Sequence, residues 1–155
     1  MMREDVLKVL GIIKIAFPHY YKDVSREQAE HVVSLWGDMF ADYDPALVAM
    51  AVKTIIASDP NPFPPSIGRV RAEADQIKKL IHSLALGGYT LNDYTGDGGT
   101  KYPLSVREAI TDLSKEKFKL IHGCEFISQR ELRNRDLLQG TDSNGQKRIS
   151  TEKKE

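Results

Sequence analysis

The chain has 155 residues, 22 basic and 22 acidic side chains, and a single cysteine, Cys124. That length fits one domain, or one domain with a small appendage. Balanced charge argues against a protein that grips DNA through many phosphates, and one cysteine forbids an internal disulfide.

No run of about 18 apolar residues is present, so no membrane span is expected. Val6 to Phe17 is apolar, but Lys8 and Lys14 interrupt it and no small-residue cleavage pattern follows. A signal peptide is therefore not expected, and a reducing cytoplasm suits the lone thiol.

Val6, Leu10, Ile13 and Phe17 recur at helical spacing and predict a first helix from about Arg3 to Phe17, stopped by Pro18. Ser25-Arg26-Glu27-Gln28 reads as a capping box for a second helix whose stripe is Ala29, Val32, Val33, Trp36 and Phe40. Asp44 then caps a third helix with Pro45 in its first turn and Leu47, Val48, Ala51, Val52 and Ile55 on its apolar side. Four prolines between Asp59 and Pro65 exclude helix there. Ser66 caps a fourth, with Ile67, Val70, Ala74, Ile77, Ile81 and Leu84 in register.

Gly87-Gly88 breaks that pattern, and residues 86–102 read as a flexible linker. Val106, Ala109, Ile110 and Leu113 predict another helix, Phe118 and Ile121 a separate short one, and Gly123 a stop. Phe126, Ile127, Leu132, Leu137 and Leu138 suggest a last helix within a C-terminal helical segment at 103–139. Residues 140–155 hold one large apolar side chain, Ile149, and read as disordered. The expected class is all-α: a bundle of about four helices over 1–85, then linker, helical segment and tail.

Chemistry has few places to hide. His19, His31, His82 and His122 lack zinc-ligand spacing, and His122 lies two residues from Cys124, a poor aim for a base on a helix. Gly96-Asp97-Gly98-Gly99 has no Walker lysine. Asp38, Asp42 and Asp44 cluster at a turn, where acids usually cap helices. No catalytic residue, metal ligand or cofactor site is assigned, and no enzyme activity is expected.

The mixed-charge C-terminal region suits a protein partner that orders it on binding. Its candidate contacts are Arg130, Arg133, Arg135, Leu137, Leu138, Lys147 and Arg148. The competing reading is a DNA-binding replication or transcription regulator, with a helix-turn-helix over Ser25 to Ser58. With the residues just upstream, that region carries Asp23, Glu27, Glu30, Asp38, Asp42 and Asp44 against Lys14, Lys22, Arg26 and Lys53. Its would-be recognition helix has only Lys53 to offer bases.

The order of elements carries a resemblance. An apolar helix ends Ala16-Phe17-Pro18, a tryptophan helix precedes Asp42-Tyr43-Asp44, and Phe63-Pro64-Pro65-Ser66-Ile67 opens the fourth helix. Over Val6 to Ile81 this resembles the helicase loader/inhibitor proteins of phages of Gram-positive bacteria and related replisome organisers. The resemblance implies a compact helical N-terminal module and a flexible C-terminal region that binds a hexameric DnaB-family replicative helicase. It also implies inhibition of the free helicase, delivery to an origin-bound initiator in the bacterial host cytoplasm, and no ATPase of the loader's own. No direct nucleic-acid or membrane binding is expected.

Overall fold

A computed structural model describes residues 1–95, 101–129 and 131–134. Among these residues the chain is helical, with no strand.

Helix α1 (Arg3–Ala16) buries Val6, Val9 and Ile13, one stripe at spacings of three and four. Pro18 ends it, and the chain continues as a short 3-10 turn, Pro18–Tyr21, which periodicity did not foretell. Helix α2 (Arg26–Met39) starts on the expected capping box. The Gln28 N–H donates to Ser25 Oγ at 3.2 Å, and the Ser25 N–H donates to Gln28 Oε1 at 3.0 Å. Replacing Ser25 with alanine should cost about 1 kcal/mol, read as a lower urea midpoint with unchanged slope.

Inside α2 only Val33 and Trp36 are buried, and the C-cap Phe40 adds a fully buried ring. The helix leans on α1. The Arg3 guanidinium donates to both Glu30 oxygens at 2.7 and 2.8 Å, and this hydrogen bond holds the Glu30 carboxyl below its usual range. That contribution is present above the ordinary glutamate pKa and fades as pH falls through the depressed one. Both groups are exposed, so it is minor beside the core.

Helix α3 (Pro45–Ser58) is the central element. Asp44 Oδ1 accepts from the Ala46 N–H at 2.8 Å, and Val48, Met50, Ala51, Val52, Thr54 and Ile55 are buried. The buried Thr54 hydroxyl donates to Met50 O at 2.9 Å, so no donor is stranded. α3 packs against α1 on one side and α4 on another, and touches α6.

The proline segment is held by two Asx turns, Asn61 N–H to Asp59 Oδ1 at 3.0 Å and Phe63 N–H to Asn61 Oδ1 at 3.1 Å. An Arg69–Asp59 ion pair joins the end of α3 to the start of α4 (Ile67–Gly87). Ser66 caps α4 as expected, accepting from the Arg69 N–H. α4 buries Val70, Ala74, Ile77, Ile81, Leu84 and Ala85, and ends in a left-handed Gly88 with φ of 65°.

The stretch expected as linker carries a short helix, α5 (Leu91–Thr95). Thr90 and Asp93 cap it reciprocally, with Thr90 N–H to Asp93 Oδ2 and Asp93 N–H to Thr90 Oγ1 both at 3.2 Å. Leu91 is buried in the main core. The expected glycine segment at 96–99 lies outside the described residues.

Beyond it, α6 (Leu104–His122) is one continuous helix where the sequence suggested two pieces. Nothing between Leu113 and Phe118 breaks a helix, and the buried Ser114 hydroxyl donates back to Ile110 O at 2.6 Å. α6 packs along α4, and Val106 and Ile110 join the same apolar cluster as Val6 and Ile77.

Candidate interaction surfaces

Of the seven contact residues expected in the C-terminal region, the structure places Arg133, exposed on a helical turn at residues 131–134. Arg130, Arg135, Leu137, Leu138, Lys147 and Arg148 lie outside the described residues.

The approach to that turn is built step by step. Gly123, left-handed at φ 67°, ends α6 and exposes Cys124. Glu125 pairs with Lys119, and the hydrogen bond raises the lysine pKa. Phe126 returns to the bundle, its ring edge-on to Phe118 with centroids 5.2 Å apart. His122 lies on the same Phe118 ring at 4.3 Å.

Ser128 is buried, and its N–H donates to Glu131 Oε2 at 3.0 Å while its Oγ accepts from the Glu131 N–H at 3.2 Å. The Leu132 N–H donates to Ser128 O at 3.0 Å, completing a first helical turn. Gln129 ties this turn to the bundle. Its N–H donates to Gly88 O and its side-chain amide to Gly87 O, each at 3.2 Å. A Cβ on Gly88 would meet the Phe118 ring at 3.3 Å and Gln129 Nε2 at 3.6 Å, so the site asks for glycine by space as well as by φ.

A second surface is the shallow cleft between α1 and α2. Leu7, Leu10, Tyr21, Val24 and Val33 line a volume of about 290 Å³, with Lys14 at its edge. Gly11 leaves its floor open, since a Cβ there would touch nothing. Half-burial raises the Tyr21 phenol pKa.

The third is the polar groove beside the α2–α3 turn. The Tyr43 hydroxyl donates to Asp75 Oδ1 at 3.1 Å, and the Arg71 guanidinium lies 5.4 Å from the Tyr43 ring centre. Of the acids noted there, Asp44 is spent on capping α3. Among the described residues no three His, Cys, Asp or Glu side chains gather as a metal site.

Residues 1–71 match the family model G39P_N, the N-terminal domain of the helicase loader of phage SPP1. Over those residues the chain is similar to the phage helicase loaders. No curated protein and no solved structure matches the chain.

The loader-family span takes in α1, α2, α3 and the opening of α4. Its motif residues turn out to be architectural. Trp36 stacks on Phe40 at 5.3 Å, and Phe40 meets Tyr43 edge-on at 5.4 Å, so the aromatic run stitches α2 to the turn before α3. Pro65 is buried, Ser66 caps α4, and Phe63, 58% exposed, lies against exposed Tyr20 at 5.7 Å.

Sequence reasoning missed Gln129 as an anchor. The Ser128…Glu131 spacing was the readable signal for the turn.

Proposed function

We propose that this chain is a phage DNA-replication accessory protein that binds a hexameric DnaB-family helicase, keeps it inactive and delivers it to an origin-bound initiator. The supporting observation is the loader-family match over residues 1–71. Its place of action on this reading is the bacterial host cytoplasm. The reading needs no cofactor and no turnover by the loader itself.

Inhibition of this kind is a matter of unequal binding. A loader shifts the helicase toward a silent state only as far as it prefers that state. Moving a two-state equilibrium from one per cent to ninety-nine takes a preference of about 10⁴. An initiator that competes for either protein then releases the helicase. We assign the helicase contact to the C-terminal region, with Arg130, Arg133 and Arg135 as cations, Leu137 and Leu138 as apolar contacts, and Lys147 and Arg148 further on.

The test is to mix full-length protein with the host's replicative helicase and, separately, with any phage-encoded one. Co-elution together with suppressed ATPase turnover is expected. If neither helicase co-elutes or slows, the reading fails.

The DNA-binding alternative meets a physical obstacle. The helix that would enter the groove is α3, and α3 is the most buried helix of the bundle, with Lys53 as its one exposed charge. A duplex shift that weakens with salt would revive that alternative.

A further inference from the structure

The segment assigned to the helicase does not simply trail from α6. Its first turn is built onto the bundle by hydrogen bonds from residues far away in sequence. Gln129 caps carbonyls at the end of α4, 42 residues earlier for its side-chain bond to Gly87 O. Those carbonyls sit at a helix C-terminus, where acceptors lack partners within the helix. Ser128 and Glu131 then close a reciprocal capping box that starts a new helix at that spot. Phe126 on Phe118 fixes the approach, and Gly88 gives the space in which Gln129 lies. Leu132 and Arg133, the first side chains past the box, are exposed to solvent.

We infer that this junction is a launching clamp: Gln129 and the Ser128–Glu131 pair are positioning residues that fix where, and in which direction, the helicase-binding segment leaves the bundle. The inference rests on the function proposed above. The physical advantage is pre-organisation. A segment that orders only on binding loses affinity to the entropy of ordering, and a segment whose first turn is already capped and anchored loses less. Nucleation is the costly step of helix formation, and the clamp has completed it before the partner arrives.

The experiment uses the full-length chain and the helicase that it binds. Glu131→Ala and Gln129→Ala should each weaken binding about three- to tenfold, the range expected from a lost N-cap. Glu131→Gln should bind as the parent does, because a glutamine oxygen can accept the Ser128 N–H in the same box. All three should keep a cooperative melt close to the parent's, since Glu131 is exposed and Gln129 lies at the edge of the core.

Amide hydrogen exchange without helicase reads the clamp by itself. The Leu132 and Gln129 amides should be protected in the parent, and Leu132 should exchange faster in Glu131→Ala than in Glu131→Gln. Exchange at free-chain rates in the parent overturns the clamp and leaves the function standing. Parent-like affinity in both alanine variants also overturns it. A parent that is protected at Leu132 but binds no helicase overturns the functional reading, and the clamp's role with it.

Discussion

Phe40→Ala is expected to destabilise the fold by about 3–5 kcal/mol, the usual cost of emptying a buried phenylalanine site. Phe40 is fully buried, with 0% of its surface exposed. Its ring lies on Trp36 and edge-on to Tyr43, and aromatic pairs add about 0.5–1.5 kcal/mol each beyond area burial. The position is also poorly backed up. α2 itself buries only Val33 and Trp36, so Phe40 is the third buried side chain that seats that helix. A domain of this size holds about 5–15 kcal/mol in all, so the variant forfeits about a fifth or more. Trp36 is the chain's single tryptophan and touches the site, which makes its fluorescence the natural probe in urea unfolding. Phe63→Ala is the matched control. Phe63 is 58% exposed and should shift stability by about 0.5 kcal/mol or less. Equal effects at the two positions would mean that the Trp36–Phe40–Tyr43 stack is not the joint described here.

Why α1 to α4 could be read from sequence, and the rest less well, follows from the range of the signals. Ser25–Gln28, Asp44-Pro45 and Ser66 act within four residues, so each helix start is written where it occurs. The stripes of α1 and α4 repeat long enough to be unambiguous. The division of α6 into two pieces came from treating Phe118 and Ile121 as a new face. In the fold Phe118 turns toward Gly88 and Phe126 at the far end of α4, a demand set by tertiary packing. α5 was hidden because Gly87-Gly88 and the Thr-Asn-Asp composition read as linker. A Thr90–Asp93 cap and one buried leucine, Leu91, suffice to build a turn of helix there.

The candidate surface follows the same rule. Its Ser128–Glu131 box is local and was readable, yet the apolar set from Phe126 to Leu138 drew the helix start three residues too early. Phe126 and Ile127 are in fact the non-helical strap that brings Ser128 to the bundle. The Gln129 anchor had no local trace at all. Its partners are backbone carbonyls, and nothing in the identities of Gly87 and Gly88 announces which side chain will reach them.

A chain ending at Ser128 is expected to keep its fold and to bind the helicase at least about a hundredfold more weakly, equivalent to about 2.7 kcal/mol. Fold and binding separate at this cut because of where the apolar core lies. The core cluster runs from Val6 to Ile110, and the Phe118–Phe126 contact also precedes the cut. What the bundle loses is the pair of Gln129 hydrogen bonds and the Ser128 cap. Each such bond is worth about 0.5–1.5 kcal/mol net, and the carbonyls of Gly87 and Gly88 gain water where Gln129 lay. The melt should therefore shift modestly and stay cooperative. Binding loses far more, since every residue assigned to the helicase contact, from Arg130 to Arg148, lies beyond the cut. Titration of the helicase with both chains, alongside circular dichroism, measures the two effects together. A truncated chain that still binds like the parent would move the interface onto the bundle. The α1–α2 cleft around Leu7, Leu10 and Val24 would then be the first surface to mutate, because its lining is mainly apolar.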